Sequence, residues 1–293
     1  MTVIDAHQHF WDPTRASYPW MEATELAPIR RTFTPTDLRP LLDAAGIDGC
    51  LFVQCRHDEA ETEEQLAATL TDPWILGVVG WVDLEAVDVT ERIARLRSMP
   101  GGNRLVGIRH IVHDELDAAW LERPAVIRGL RAVAAAGLTY DLLVRARELP
   151  AAIAAVRAVP EGRFVLDHAA KPPIARGWDP AWAALITELA NEPNVFCKLS
   201  GLVTEAHWTS WRFADLESAC RLAIEAFGSA RLLYGSDWPV CLLAAPYEVV
   251  KATFDRAVTG LSQTERAAVL GGNAIAAYKL DVNRHAALNM ERK

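Results

Sequence analysis

The residues in this chain best equipped for chemistry are two histidines near its start, a third past its middle and an aspartate near its end. His7 and His9 stand two apart in TVIDAHQHF. On an extended strand that spacing sends both imidazoles to one face, where they can converge on one metal ion or one substrate group. His168 closes the apolar run RFVLDHAA, and Asp237 sits in LLYGSDWPV, between an apolar run and a Trp-Pro turn. A carboxylate placed there can take a proton from water; its structural alternative is a turn-forming aspartate.

Cations accompany them. Lys198 lies inside the apolar run VFCKLSGL, Arg109 in LVGIRHIV and Lys171 in DHAAKPP. A lysine within an apolar run is expected to turn into a cavity, where its ammonium and the Arg109 guanidinium would hold substrate oxygens or stabilise an oxyanion. A structural ion pair with Asp141 or Asp167 is the alternative. Gln54, Arg56 and His110 stand at or just past the ends of two further runs and join the substrate-binding candidates, as do Trp81 and Trp238, whose flat indoles can cover the apolar face of a sugar ring. Among the other histidines, His113 and His207 are minor candidates for the mouth of such a site. The sequence has no GxSxG elbow, and Cys55 and Cys197 have no histidine partner in sequence, so activated water is favoured over a covalent nucleophile.

Positioning so many polar residues requires a repeating scaffold. Eight β-rich runs can be read, at 2–10, 50–55, 75–84, 105–112, 138–144, 163–170, 195–202 and 232–240. Helical segments such as TEEQLAATL, VTERIARLRSM and DLESACRLAIEAFG separate them, with apolar residues three and four apart. The alternation predicts an α/β fold, a single-domain (β/α)8 TIM barrel, in which chemistry gathers at the C-terminal ends of the strands. A doubly wound open sheet is the competitor, but the turn after the first run, QHFWDPTR, lacks the glycines such a sheet uses for ligands. The barrel is expected over 1–280, with an extended loop at about 11–35 and a peripheral tail at 281–293.

Composition narrows the partners. The 293 residues carry 38 acidic and 30 basic side chains, a formal charge of -8, and no basic stripe for a phosphate backbone, so nucleic acid is not expected. No apolar run approaches the roughly 18 to 20 residues of a membrane span, and the N-terminus lacks a signal-type core, which makes the cytoplasm the expected location. The five cysteines form no CxxC pair and read as reduced core thiols. Oligomeric state is not legible, and no organic cofactor is implied.

IDAHQHFWDP, LDHAAKP, VFCKLSGLVTEA and LYGSDWPVC, spread over nearly the whole chain, resemble the amidohydrolase superfamily, specifically its sugar-lactonase branch. The resemblance implies a (β/α)8 barrel that opens a cyclic ester with water, the substrate being a small sugar lactone such as L-fucono-lactone or a stereochemical relative. It implies His7 and His9 as the strand-one HxH, His168 as the strand-six histidine and Asp237 as the general base. Many metal-dependent members place a carboxylated Lys or a Glu on strand four and a metal-binding His on strand five. Arg109-His110 and Tyr140-Asp141 stand there instead, which argues against a binuclear centre; the resemblance leaves His7, His9, His168 and Asp237 to hold a single Zn²⁺, or to bind substrate and water without one. The enzymatic alternatives are a Zn-dependent amidohydrolase or a decarboxylase on the same barrel, and the non-enzymatic one is a sugar-binding barrel.

Overall fold

A computed structural model describes residues 2–282, so most of the expected tail at 281–293 lies outside the described residues. Eight strands form one parallel sheet in sequential order: β1 (Ile4–Gln8), β2 (Gly49–Val53), β3 (Ile75–Gly80), β4 (Leu105–Ile111), β5 (Thr139–Leu143), β6 (Arg163–Leu166), β7 (Val195–Leu199) and β8 (Leu232–Tyr234). The ring closes between its ends. The His9 N–H donates to the Trp238 carbonyl at 2.7 Å and the Asp237 N–H to the His7 carbonyl at 2.8 Å. The residues that seal the barrel are therefore the same ones that furnish its polar rim.

Helices α1 (Pro35–Ala44), α2 (Glu59–Thr71), α3 (Val89–Ser98), α4 (Pro124–Ala135), α5 (Leu149–Ala158), α6 (Pro180–Ala190), α7 (Phe213–Phe227) and α8 (Tyr247–Ala257) follow the strands in turn. Local sequence explains several starts. Thr34 and Asp37 form a reciprocal capping box on α1, and the Asp58 and Asp179 carboxylates accept from the N–H groups of Ala60 and Ala181 at the starts of α2 and α6. Each helix lays an apolar stripe on the outside of the sheet, which is why the strands read as nearly continuous hydrophobic runs.

The expected barrel is the one observed, but its strands are shorter than the apolar runs. The eighth run was read to residue 240, whereas β8 ends at Tyr234. Asp237 takes a positive φ of 58° and Pro239 has no N–H to give the ladder, so the chain leaves the sheet and turns over the barrel mouth. The first run was read from 2 to 10, and β1 within it shifts register against β2 between Asp5 and Gln8. The shift sets Asp5 against Tyr247 of α8, whose hydroxyl donates to it at 3.0 Å, while His7 meets Arg109, Asp167 and Lys198 inside the barrel.

The interior is layered. At the bottom, α9 (Gln263–Ala267) leads through a π turn to α10 (Asn273–Tyr278). Ala274, Ala277 and Tyr278 of α10 pack with Ile4, Leu51, Val79, Val165 and Leu233 as an apolar plug. The Tyr278 hydroxyl rises from the plug and donates to Asp141 at 2.8 Å. Above it lies a buried ionic layer of Asp141, Asp167, Lys198 and Arg109, and above that the open site.

Candidate active site

The ionic layer is the floor of the site, and its charges cancel. Lys198 is fully buried and lies 2.6 Å from Asp141 and 2.9 Å from Asp167, and Arg109 Nη1 reaches the other Asp167 oxygen at 3.0 Å. Two cations face two carboxylates, the arrangement under which buried charge is tolerated. Burial would raise the Asp167 carboxyl, but Lys198, His7 and Arg109 together hold it well below the ordinary 3.8. Gln54 fixes the remaining end of Arg109: its amide donates to the Arg109 carbonyl at 3.2 Å and accepts from Nη2 at 3.2 Å. Arg109 thus presents a guanidinium of set orientation to the cavity above.

His7 is locked by this floor. Arg109 has only donors, so at 3.2 Å it is the His7 Nε2 that accepts from Nη1, while Nδ1 stands between Lys198 Nζ at 3.1 Å and Asp167 Oδ1 at 3.2 Å. His9 is oriented by the backbone: its Nδ1–H donates to the Val53 carbonyl at 2.8 Å, which turns Nε2 to Asp237 Oδ1 at 3.3 Å. His168 is oriented by Ser200, whose Oγ lies 2.9 Å from Nδ1, leaving Nε2 4.0 Å from the same Asp237 oxygen. His7 Nε2 lies 3.8 Å from it. Burial holds the His7 and His168 pKa values well below 6.5, so both rings are neutral at neutral pH. Burial would lift the Asp237 carboxyl as well, but His168, His9 and Lys171 reverse that and keep it below 3.8, ionised.

Two backbone devices bring these groups together. Residues 168–171 all have positive φ (54°, 47°, 57° and 51°), a left-handed turn of four residues with no glycine among them. Such residues cost about 1–2 kcal/mol each, so the turn needs external support. The Lys171 N–H donates to the His168 carbonyl and the Trp182 indole N–H to the Ala169 carbonyl, both at 2.9 Å. The second device is an absent side chain. A Cβ on Gly201 (φ +63°) would stand 2.6 Å from His168 Nδ1 and 3.0 Å from Asp237 Oδ2, so the glycine makes the room in which the two groups meet.

His7, His168 and Asp237 bring one ligand atom each within 4.8 Å of the others, a set that could hold a single divalent ion, and His9 Nε2 stands 3.3 Å from the same Asp237 oxygen. His9, His168 and Asp237 offer lone pairs directly, and His7 Nε2 would exchange the Arg109 N–H for the ion. On β4 and β5 the inward positions are taken by Arg109, paired with Asp167, and by Asp141, paired with Lys198.

The cavity over this cluster measures about 340 Å³, and His9, Arg109, His168, Lys171 and Asp237 line it. The other candidates lie elsewhere. Lys198 does not reach the cavity, because the two floor carboxylates hold it. Gln54 acts on Arg109 from behind. His110 follows Arg109 directly, so strand alternation turns it to the outside of β4, where it stacks on Trp120 and His57 and accepts from the Trp81 indole N–H at 3.1 Å. Trp81 belongs to that outer stack, and Trp238 is buried between Phe10 and Phe33. Arg56 pairs with Asp58 at 3.2 Å and lines an adjoining outer hollow with His57 and Glu115. His113 does reach the cavity; His207 is exposed.

Sequence reading missed Glu205, Arg145, Trp208 and an apolar group of Leu26, Val240 and Leu243, all on the cavity wall. Leu26, Glu205, Val240 and Leu243 sit in single 3-10 turns and Arg145 and Trp208 in loops, segments too short for a periodicity to mark which side chain turns inward. The one available signal was proximity: Glu205 and Gly201 lie in the same KLSGLVTEA segment as Ser200.

The whole chain is similar to known proteins. Residues 4–280 match the family model described as amidohydrolase. The chain is 41% identical over 288 residues to an L-fucono-1,5-lactonase from Burkholderia multivorans, covering 94% of this chain and 96% of that protein. It is 40% identical over 287 residues to an L-fucono-1,5-lactonase from Burkholderia ambifaria, at 95% and 96% coverage. A crystal structure of a Burkholderia multivorans amidohydrolase with bound zinc superposes with a TM-score of 0.90 at 39% identity, covering 96% of this chain and all of the other.

Proposed function

The chain belongs to the amidohydrolase family, and from that premise we propose that it hydrolyses a sugar lactone, L-fucono-1,5-lactone or a stereochemical relative, to the open-chain sugar acid. The observation that carries this reading is the convergence of His7, His9 and His168 on one oxygen of an ionised Asp237 at the floor of the cavity, with the Arg109 guanidinium beside it. In this reading Asp237 accepts a proton from water as the water oxygen attacks the lactone carbonyl. Arg109, held rigid by Asp167 and Gln54, faces the negative charge that develops on the carbonyl oxygen and needs no reorganisation to meet it. The tetrahedral intermediate collapses by breaking the bond to the ring oxygen, and the proton on Asp237 passes to that leaving alkoxide. One carboxylate thus serves as base and then as acid.

An aspartate with a lowered pKa is a weak base toward bulk water. A divalent ion held by His7, His9, His168 and Asp237 would supply the missing driving force by lowering the pKa of a water and polarising the carbonyl. Lys171, at the cavity wall, would bind lactone oxygens.

The test is acid release, followed by a pH indicator, across a panel of aldono-1,4- and 1,5-lactones with metal-analysed protein, with and without chelator. Rapid turnover confined to one stereochemical set is expected. Silence over the whole panel, with hydrolysis of an amide or loss of CO₂ from a carboxylate instead, would overturn the reading.

A further inference from the structure

The floor of the site is held from the opposite end of the barrel. α10, the last of the described helices, closes the bottom and is pinned there by polar contacts to three strands or their approaches. Asn273 Nδ2 donates to the Ser229 and Leu232 carbonyls at 2.8 and 2.7 Å, where the chain enters β8. The Ala277 carbonyl accepts from Thr139 Oγ1 of β5 at 2.6 Å and from Arg163 Nη1 of β6 at 3.3 Å. So docked, the helix presents the Tyr278 hydroxyl to the ionic layer, 2.8 Å from each oxygen of Asp141. Asp141 Oδ2 also accepts from Lys198 at 2.6 Å, but among the described residues Tyr278 is the one side chain that donates to Oδ1. Burial raises the Asp141 carboxyl above the ordinary 3.8, and the Lys198 ammonium and the Tyr278 hydroxyl oppose that rise. The three Lys198 donors face Asp141, Asp167 Oδ1 at 2.9 Å and His7 Nδ1 at 3.1 Å. A buried carboxylate oxygen without a donor is costly, so in the absence of the hydroxyl Asp141 would compete for a second Lys198 N–H, and the ammonium would give up Asp167 or His7 to supply it.

Resting on the lactonase reading, we infer that Tyr278 is a positioning residue for hydrolysis: by satisfying Asp141 from below, it leaves Lys198 to hold Asp167 and His7, and so keeps His7 and Arg109 aligned under the reacting carbonyl. Asp167 is the link to Arg109, which it holds through its second oxygen at 3.0 Å, and Arg109 is the register partner of Asp141 on the neighbouring strand. The tyrosine acts through the floor and does not line the cavity. The site at the C-terminal ends of the strands is therefore complete only when the helix at their N-terminal ends has docked.

Two conservative variants separate positioning from docking, because each removes one hydroxyl beside α10. Tyr278→Phe takes the donor from Asp141 and keeps the ring, whose centroid lies 5.4 Å from the Lys198 ammonium. Thr139→Val takes the donor from the Ala277 carbonyl and leaves the floor alone. Both should lower the midpoint of denaturant unfolding, and circular dichroism at the assay temperature shows the folded fraction of each. On the aldonolactone that turns over fastest, Tyr278→Phe should lower kcat by about 10-fold with KM changed by less than about twofold, since alignment rather than binding is lost. Thr139→Val should keep kcat within about twofold of wild type, as loosened docking alone leaves the reacting groups in place. In an Asp141→Asn background, Tyr278→Phe should lower kcat by less than about twofold further, because the carboxylate through which the hydroxyl acts is gone. If Asp141→Asn does not fold, the two single variants decide. An unchanged kcat in Tyr278→Phe, an equal fall in Thr139→Val, or full multiplication of the losses in the double variant would overturn the inference while the lactonase reading stands. Wild-type protein that hydrolyses no aldonolactone but acts on a non-lactone substrate would overturn the reading beneath it.

Discussion

Two clusters on this barrel are built from the same side chains and differ in almost everything else. The inner one joins His7, His168 and Asp237 with His9; the outer one joins His57, His110 and Glu115 on the far side of β4. In the inner cluster each imidazole is fixed through one nitrogen, by the ionic floor, Val53 or Ser200, and brings its other nitrogen within 3.3–4.0 Å of a single carboxylate oxygen, the His7 nitrogen accepting from Arg109 as well. In the outer cluster the His57 and His110 rings lie stacked, 3.8 Å apart and 24° from parallel. Their in-plane lone pairs cannot point at one another, and both rings are already engaged. His57 Nε2 accepts from the Ile111 N–H, and His110 accepts from Trp81 and faces Glu115 at 2.8 Å. The difference teaches that what makes a histidine cluster reactive is the geometry of the nitrogens left over after packing, not the count of histidines.

The sharpest way to break this comparison is to remove one carboxylate from each cluster. Asp237→Asn keeps shape and loses the base, and should lower kcat by at least about 10³-fold. Glu115→Gln should change kcat by less than about threefold. Steady-state rates on the lactone that turns over fastest decide it, with circular dichroism to show both proteins folded; comparable losses in the two variants would dissolve the distinction.

Gly201→Ala attacks the inner geometry without touching a charge. The added methyl group would press on His168 and Asp237, and the positive φ of 63° is unfavourable for alanine. We expect about a 10²-fold fall in kcat with a smaller change in KM, since the groups remain and only their alignment is lost. Metal binding sharpens the same contrast. Zinc titrated calorimetrically into metal-stripped protein should saturate at one ion per chain, and His168→Asn should weaken it by about 10-fold or more while His110→Asn leaves it alone. A second equivalent lost in His110→Asn would make the outer cluster a site after all. For stability the roles reverse: His110→Asn should cost about 1–3 kcal/mol in denaturant unfolding, because the Trp81 indole N–H loses its partner.

How far the sequence could reveal this contrast follows from the physics of the elements. Strand periodicity is strong, so the eight runs and the barrel were legible, as were His7, His9, His168 and Asp237 at strand ends. Alternation by two also contained the answer for His110. Arg109 and His110 are neighbours on β4, so only one of them can face inward, yet both entered the set of substrate-binding candidates. Lys198 is expected in the cavity, but the structure shows the alternative, an ion pair one layer lower, because Asp141 and Asp167 share its side of the sheet and bind it. The left-handed turn at 168–171 was illegible. It contains no glycine, and its support comes from Trp182, a residue of the following helix that no local pattern connects to it.

The segment joining the two clusters offers the mildest test. Cys55 lines the inner cavity and His57 the outer hollow, and the chain between them is held from below by Glu61, whose carboxylate accepts from the N–H groups of Cys55 and Arg56 at 2.9 and 2.8 Å. Burial pushes the Glu61 carboxyl up from the usual 4.5 to about 7. The folded state therefore holds this proton more tightly than the unfolded chain does. The contribution of Glu61 to stability is full below about pH 4.5 and declines as pH rises through about 7, by no more than about 1.4 kcal/mol per pH unit. Asp5, raised by burial to about 6, acts in the same direction, so the wild-type slope alone does not identify Glu61. Denaturant unfolding of wild type and Glu61→Gln at several pH values separates them: the variant should show the shallower decline between pH 4.5 and 7, because an amide does not titrate. Parallel curves would mean that Glu61 titrates alike in both states, and that the link between the two clusters is held by packing rather than by this carboxyl.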